Sequence, residues 1–220
     1  MHFEIVVEDQ SGAKALEALV PKIIGEDHHT YRVRAYKGIG RIPANMRDPE
    51  AASRRILLDS LPKLLKGYGR AFHDYPADYL AAVIVVCDLD EKCLRAFRRE
   101  LMSILNACDP KPQTHFCIAI EEGEAWFLGD LDAVRAAYPR ARSPVLEAYT
   151  NDSICGTWER LADAIYPGGA QKLSGGGWQA IGAEKAKWAE TIAPRMNVLG
   201  NRSPSFRYFR DKLLELAGVP

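Results

Sequence analysis

The sequence predicts an α/β fold: a mostly parallel sheet of four or slightly more strands, flanked by helices and followed by a C-terminal helical extension. Within residues 1–130, short apolar segments alternate with segments whose apolar residues recur at helical spacing, a pattern typical of parallel sheets. Residues 80–87 (LAAVIVVC) are apolar throughout, as expected of a strand that helices cover on both faces. Strand signals fade after Leu131, so we expect an α/β domain over 1–130 and a mostly helical extension over 131–220 packed on it.

The composition is typical of a soluble globular protein, with 47% hydrophobic and 26% charged residues. No apolar run approaches the roughly 20 residues that span a membrane, and the N-terminus lacks the basic start of a secretory signal. The five cysteines form no CxxC pair, which favours free thiols in the cytoplasm over a zinc site. With 29 acidic and 29 basic residues, any affinity for nucleic acid must come from a local patch.

The N-terminal elements follow from periodicity. Residues 3–7 (FEIVV) predict a buried strand, and 14–24 predict a helix that Gly25 ends and Pro21 interrupts. The alternation in 31–36 predicts a half-exposed strand.

The middle of the chain continues the alternation. We predict a helix over 51–66, a loop over 67–78, the central strand over 80–87, a helix over 91–107 and a strand over 115–120.

Beyond these strands the pattern is helical. A helix beginning near Glu124 carries Trp126 and Phe127, which we expect to be core residues that hold Glu124 in place. The later helical segments are LDAVRAAY, TWERLADAIY, AEKAKWAETIA and FRYFRDKLLELAG. Ser203 is a suitable N-cap for the last of them, and the Gly-rich stretch 167–177 predicts a mobile loop or linker.

Acidic residues follow three of the predicted strands. Glu8 follows the first, and Asp88 and Asp90 follow the central strand. The last strand is followed by Glu121, Glu122 and Glu124. Ligands of parallel sheets bind outside the carboxyl ends of the strands, so we expect these acids to gather at one edge. If the central strand persists, Asp88 and Asp90 point to the same side, about 6.5 Å apart.

A carboxylate cluster of this kind favours a divalent cation. Neighbouring carboxylates repel one another, and a bound ion relieves that repulsion. Oxygen ligands suit Mg²⁺ or Mn²⁺, so we predict a metal site formed by Glu8, Asp88, Asp90, Glu122 and Glu124. The alternative is that Asp88 and Asp90 cap the following helix.

Several basic residues are candidates for phosphate contacts. Lys37 and Arg41 flank the glycines of KGIGRIP, and the loop is expected at the same edge as the acids, with Lys37 a candidate catalytic residue. The arginines Arg95, Arg98 and Arg99 either track a nucleic-acid backbone or form a solvated helix face. The same choice holds for Arg202, Arg207 and Arg210.

The acidic motifs resemble a known fold family. VVED after the first strand, VVCDLD after the third and the acidic cluster after the fourth look like the Toprim fold of primases, topoisomerases and overcoming-lysogenization-defect nucleases. The resemblance implies divalent-metal phosphoryl transfer, with Glu8 in the place of the family's first Glu and Asp88 and Asp90 as its DxD.

Two further segments are similar to a family of uncharacterised bacterial proteins with a Toprim-like core. These are EGEAWFLGD and SPSFRYFRDKL. The chain departs from the usual first motif, VEGxxD, because Asp9 stands for the Gly and Gly12 for the final Asp.

The favoured function is therefore a Mg²⁺- or Mn²⁺-dependent nuclease acting on DNA or RNA, in a defence or toxin-type module. A haloacid-dehalogenase-type phosphatase with Asp88 as nucleophile is an alternative, although Lys92 stands where that motif has Thr or Val. A non-catalytic binding or regulatory protein is another. The sequence leaves open a homodimer or a partner protein from a neighbouring gene.

Overall fold

Four parallel strands form one sheet in a computed structural model that describes residues 1–25, 28–38, 40 and 56–218. The strands are β1 (His2–Val7), β2 (Thr30–Ala35), β3 (Ala81–Asp88) and β4 (Thr114–Ala119), in the spatial order β2-β1-β3-β4. Every neighbouring pair is parallel. The predicted α/β class with a parallel four-stranded sheet is confirmed.

Three long helices connect the strands: α1 (Gln10–Ile24), α2 (Leu57–His73) and α3 (Leu94–Asn106). The helices after β4 are α4 (Glu124–Leu128), α5 (Leu131–Ala137), α6 (Ser143–Glu147), α7 (Thr157–Ile165), α8 (Gly169–Ser174), α9 (Gly177–Ile192) and α10 (Pro204–Ala217). None of the described helices is both long and apolar enough to cross a membrane.

The strand order places a change of direction at the centre of the sheet. From β1 the chain moves outward to β2, then returns past β1 to β3 and continues to β4. Crossovers of one hand must then lie on opposite faces, and α1 covers one face while α2 and α3 cover the other. The carboxyl ends of β1 and β3 therefore flank the point at which the strand order reverses.

The sheet has a separate core on each face. Phe3 and Ile5 of β1 face α1 and the C-terminal helices, where Trp188 and Phe206 are buried. Val6 faces α2 and α3 in the other core. The helices of 131–217 thus share a core with α1 and the sheet, and the predicted division at residue 130 stays a prediction.

Two helix boundaries differ from the sequence prediction for identifiable reasons. Helix α1 begins before Lys14 because the Asp9 carboxylate accepts a hydrogen bond from Gly12 N–H at 2.7 Å and caps it. The predicted loop over 67–78 is wrong up to His73, since α2 continues through its glycines. A Cβ at Gly69 would lie 2.0 Å from the carbonyl oxygen of Pro110, so this glycine permits close packing and does not end the helix. The predicted helical residues 51–55 lie outside the described part of the chain.

The Gly-rich stretch 167–177 is likewise not a loop. It contains α8, whose Ala170 and Leu173 are buried. The Asp163 carboxylate accepts a hydrogen bond from Ala170 N–H at 2.8 Å, which satisfies a donor in the first turn of that helix.

Candidate functional site

Glu8 and Asp88 lie side by side where the strand order reverses. Glu8 directly follows β1, and Asp88 is the last residue of β3. The Asp88 N–H donates a hydrogen bond to Glu8 Oε2 at 3.2 Å. In open α/β sheets this crevice, outside the carboxyl ends of the strands, is where ligands bind.

A small cavity opens beside these two carboxylates. Its volume is about 40 Å³, enough for about three water molecules at roughly 10–15 Å³ each. The polar side chains that line it belong to Glu8, Asp9, Ser11, Asp88, Glu124 and Lys185. The ends of three neighbouring strands, together with α1, α4 and α9, thus line one cavity, in which these polar groups lie among mostly apolar side chains.

Lys185 of α9 brings the acids after β4 into the same cluster. Its ammonium lies 3.3 Å from Glu122 Oε2 and 3.1 Å from Glu124 Oε2. Only 15% of the Lys185 side chain and 5% of the Glu124 side chain are exposed, so this ion pair is largely removed from water. Lys185 therefore pairs with Glu122 and Glu124 and lines the same cavity as Glu8 and Asp88.

The sequence analysis did not single out Lys185, although a signal was present. The buried residues of α9 are Ile181, Trp188, Ala189 and Ile192. Lys185 follows Ile181 by one turn and lies on the same stripe. A lysine on the buried stripe of a helix requires a carboxylate partner, and the acidic residues that follow β4 can supply it.

Burial and mutual repulsion shift the carboxyl groups of the site. Burial raises the pKa of Glu8 to about 7, the charges of Asp9 and Asp90 add to the rise, and the bond from Asp88 N–H opposes it. Burial and then the charge of Glu8 raise the pKa of Asp88. The Glu8–Asp88 pair therefore takes up protons more readily than ordinary carboxylates do.

The acids around Lys185 are shifted in the same direction. Burial raises the pKa of Glu122 to about 7 and also raises that of Glu124, despite the opposing ammonium. The pKa of Lys185 is raised, because the charges of Glu124, Glu122 and Asp88 outweigh its burial. One ammonium faces several carboxylates, so it stays charged while the negative charge around it is only partly neutralised.

Asp90 lies past the end of β3, so the condition under which it would point to the same side as Asp88, a strand that persists to residue 90, is not met. Its φ is 51°, in the left-handed region, and its N–H bonds to the Glu121 carbonyl at 2.9 Å. Its carboxylate pairs with Lys92 at 2.6 Å and is 45% exposed. The alternative that Asp88 or Asp90 caps the next helix is wrong, since Cys93 is the N-cap of α3.

Glu121 has a structural role at the start of α7. Its carboxylate accepts hydrogen bonds from the backbone N–H groups of Cys155 at 3.1 Å, Gly156 at 2.8 Å and Thr157 at 2.8 Å, and from the Thr157 hydroxyl. Burial alone would raise its pKa, but these bonds outweigh burial and lower it. Glu121 therefore fixes α7 to the loop that carries Glu122.

Lys37 lies at the predicted edge but not in the cavity. Tyr36 N–H donates to the Val7 carbonyl at 2.9 Å and Gly38 N–H donates to the Glu8 carbonyl at 2.7 Å, so this segment runs beside the end of β1. The Lys37 side chain is exposed. Arg41 lies outside the described residues.

Trp126 and Phe127 are core residues, as predicted. Trp126 and Phe127 are each 4% exposed. The Trp126 indole N–H donates to Ser205 Oγ at 3.0 Å, and its ring stacks on Phe209 of α10 at 5.0 Å between centroids. The EAWFLGD and SPSFRYFRDKL segments therefore pack against each other.

The five predicted metal ligands do not form one cluster but fall into three groups with different partners. Within residues 1–25, 28–38, 40 and 56–218, no group of three or more His, Cys, Asp or Glu side chains is arranged to hold a metal ion. Glu8 and Asp88 are adjacent, Glu122 and Glu124 pair with Lys185, and Asp90 pairs with Lys92. Comparisons of the chain with protein-family models, curated proteins and solved structures found no match.

Proposed function

We propose that this protein is a Mg²⁺- or Mn²⁺-dependent phosphodiesterase that cleaves nucleic acid, a Toprim-like nuclease. The observation that carries the proposal is the meeting of Glu8, Asp88 and Lys185 around one cavity at the point of strand reversal. Two carboxylates can hold a hard cation and an ammonium can hold a phosphate oxygen, and both kinds of group support phosphodiester hydrolysis.

The residues present fit a single divalent ion. Mg²⁺ is commonly bound by one or two carboxylates, with water and substrate phosphate oxygens completing its coordination. Glu8 and Asp88 form such a pair, and their raised pKa values reflect burial and repulsion that a cation would offset. When bound, the ion would polarise a phosphate oxygen and make a bound water more acidic.

A second metal ion at Glu122 and Glu124 would have to displace the Lys185 ammonium. The Lys185 ammonium already neutralises part of the charge of Glu122 and Glu124. A mechanism in which Asp90 is the second ligand and Glu8 is a general base is less favoured, because the Asp90 carboxylate pairs with Lys92. Lys185 would instead bind a phosphate oxygen as a point charge, held in place by its two glutamates.

Cleavage assays with matched variants test the proposal. Plasmid DNA and RNA are incubated with the wild type, Glu8→Gln and Asp88→Asn in the presence of Mg²⁺ or Mn²⁺. Both substitutions should lower the rate at least about 100-fold, because loss of a metal ligand should cost at least as much as the roughly 10–100-fold that loss of a ligand's hydrogen-bond partner costs. The control is Asp132→Asn, because the Asp132 side chain is 95% exposed and remote from the cavity.

Two results would exclude the proposal. One is a metal-dependent rate that both site variants retain. The other is calorimetry without any Mg²⁺ or Mn²⁺ uptake that depends on Glu8 and Asp88, which would indicate a non-catalytic binding protein.

A further inference from the structure

Helix α3 presents a strip of arginines on its exposed side. Arg95, Arg98 and Arg99 are all exposed, and in the described part of the chain none of them has a carboxylate oxygen within 4.0 Å. The shallow groove along this face is lined by these arginines together with Cys93, Met102, Ser103 and Asn106. No acidic side chain lines it, although the chain as a whole has no net charge.

Helix α10 holds one of these arginines in a defined position. The Arg98 guanidinium lies over the Tyr208 ring, 5.7 Å from its centroid, and one of its nitrogens is 3.4 Å from the Tyr208 hydroxyl. Stacking on an aromatic ring leaves the outer N–H groups of arginine free to bind phosphate. The neighbouring Arg207 of α10 is also exposed.

The arginine strip begins close to the candidate site. Helix α3 starts after the loop that leaves β3 at Asp88, and Lys92 in that loop pairs with Asp90. From Arg95 to Arg99 the helix rises about 6 Å at 1.5 Å per residue. This length corresponds to about two nucleotides of a strand at 3.4 Å each, so the three long arginine side chains can reach neighbouring phosphates.

We propose that the arginine strip of α3, supported by Tyr208 of α10, binds the phosphate backbone of a nucleic-acid strand and leads it to the Glu8–Asp88 cavity. This inference rests on the proposed function and identifies the surface through which the substrate is held. The contacts are to phosphates, so binding is independent of base sequence and weakens as salt increases.

Binding in EDTA tests the strip separately from catalysis. Fluorescence anisotropy is measured with a labelled single-stranded oligodeoxynucleotide and with its duplex, for the wild type and for the triple variant Arg95→Gln/Arg98→Gln/Arg99→Gln. We expect affinity to fall at least about tenfold at 0.1 M salt. The slope of log affinity against log salt concentration should become shallower by about 2 to 3, the value for three lost phosphate contacts.

A triple variant with the same change of charge is the control. Arg32, Arg70 and Arg140 are exposed and lie on β2, on α2 and after α5. Their replacement by Gln should leave the affinity and the salt slope close to those of the wild type. Thermal unfolding by circular dichroism checks that both triple variants are folded.

The outcomes separate this inference from the proposed function. Equal loss of affinity in both triple variants, unchanged binding in the α3 variant, or no binding by the wild type would overturn the inference. Displacement of the oligonucleotide by an equal charge concentration of polyglutamate would also overturn it, because the strip would then recognise acidic chains in general. Binding that depends on α3 without metal-dependent cleavage would instead refute the nuclease while supporting the strip.

Discussion

Replacing Lys185 with methionine removes an ammonium that Glu122 and Glu124 need. The two N–O distances are 3.3 and 3.1 Å, and 15% of the lysine side chain is exposed. Methionine fills a similar volume without charge, so the main effect is to leave buried carboxylates without their partner. Loss of one member of a buried ion pair costs about 3–5 kcal/mol, and we expect a loss of this size in the free energy of unfolding near pH 8.

The loss should shrink as the pH falls. The pKa of Glu122 is already about 7, and without the ammonium the pKa values of Glu122 and Glu124 rise further. The folded variant then binds protons more readily than the unfolded chain, in which glutamates titrate near 4.3. The contribution of Glu122 and Glu124 to stability is therefore fully present below about pH 4.3 and is lost as the pH rises through their raised pKa values in the folded variant.

Urea unfolding of four proteins measures this coupling: the wild type, Lys185→Met, Glu124→Gln and the double variant. Glu124→Gln should recover much of the stability that Lys185→Met loses, because it removes one unpaired charge. The reasoning is refuted if Lys185→Met costs the same at pH 5 and pH 8, or if the double variant is as unstable as the sum of the two single changes.

Three further predictions concern the same edge of the sheet. The wild type should lose stability as the pH rises from about 4.5 to 7, because the pKa values of Glu8, Asp88, Glu122 and Glu124 are all raised. Glu8 should account for about 3 kcal/mol of this loss, so urea titrations at several pH values should show a smaller loss, but not its absence, in Glu8→Gln. Glu121→Gln should lower the free energy of unfolding by about 2–3 kcal/mol at neutral pH, because the charged acceptor of the hydrogen bonds at the start of α7 is lost. The difference should diminish in acid, because the wild type loses the same bonds when the pH falls through the lowered pKa of Glu121. Mn²⁺ should raise the melting temperature of the wild type, as binding to the folded state requires, and a similar rise in Asp88→Asn would place the ion elsewhere.

The strands and their acidic ends could be predicted because both signals are local. An apolar run such as 83–87 must be buried, and in a parallel sheet its carboxyl end lies at the same edge as that of β1. The adjacency of Glu8 and Asp88 is a different matter, since it depends on β3 pairing with β1 and not with β2. Periodicity carries no information on strand order, so the point of reversal became visible only in the fold.

The errors in the prediction arise where tertiary contacts override local preference. Glycines ordinarily weaken a helix, yet α2 continues through Gly67 and Gly69. Position 69 must be glycine because the Pro110 carbonyl leaves no room for a side chain. Asp90 looked like a second strand-end ligand by spacing alone. The left-handed backbone at Asp90 turns the chain away from the strand direction, and the Asp90 carboxylate pairs with Lys92.

Lys185 changes what the acidic cluster means. Counted from the sequence, the acids after β1, β3 and β4 form a set of like charges that calls for one or two metal ions. In the fold, Glu122 and Glu124 form ion pairs with Lys185 of α9, 61 residues after Glu124. The Lys185 charge also acts on Glu8 and Asp88, but in the described part of the chain it forms no ion pair within 4.0 Å with either of them. The Lys185 ammonium is part of the chain, so a chelator cannot remove it. EDTA should therefore abolish any metal-dependent cleavage while the ion pairs of Lys185 with Glu122 and Glu124 remain. If the proposed ion binds at Glu8 and Asp88, Lys185 takes the place of a second ion, so the proposal requires a calorimetric stoichiometry of one Mn²⁺ per chain.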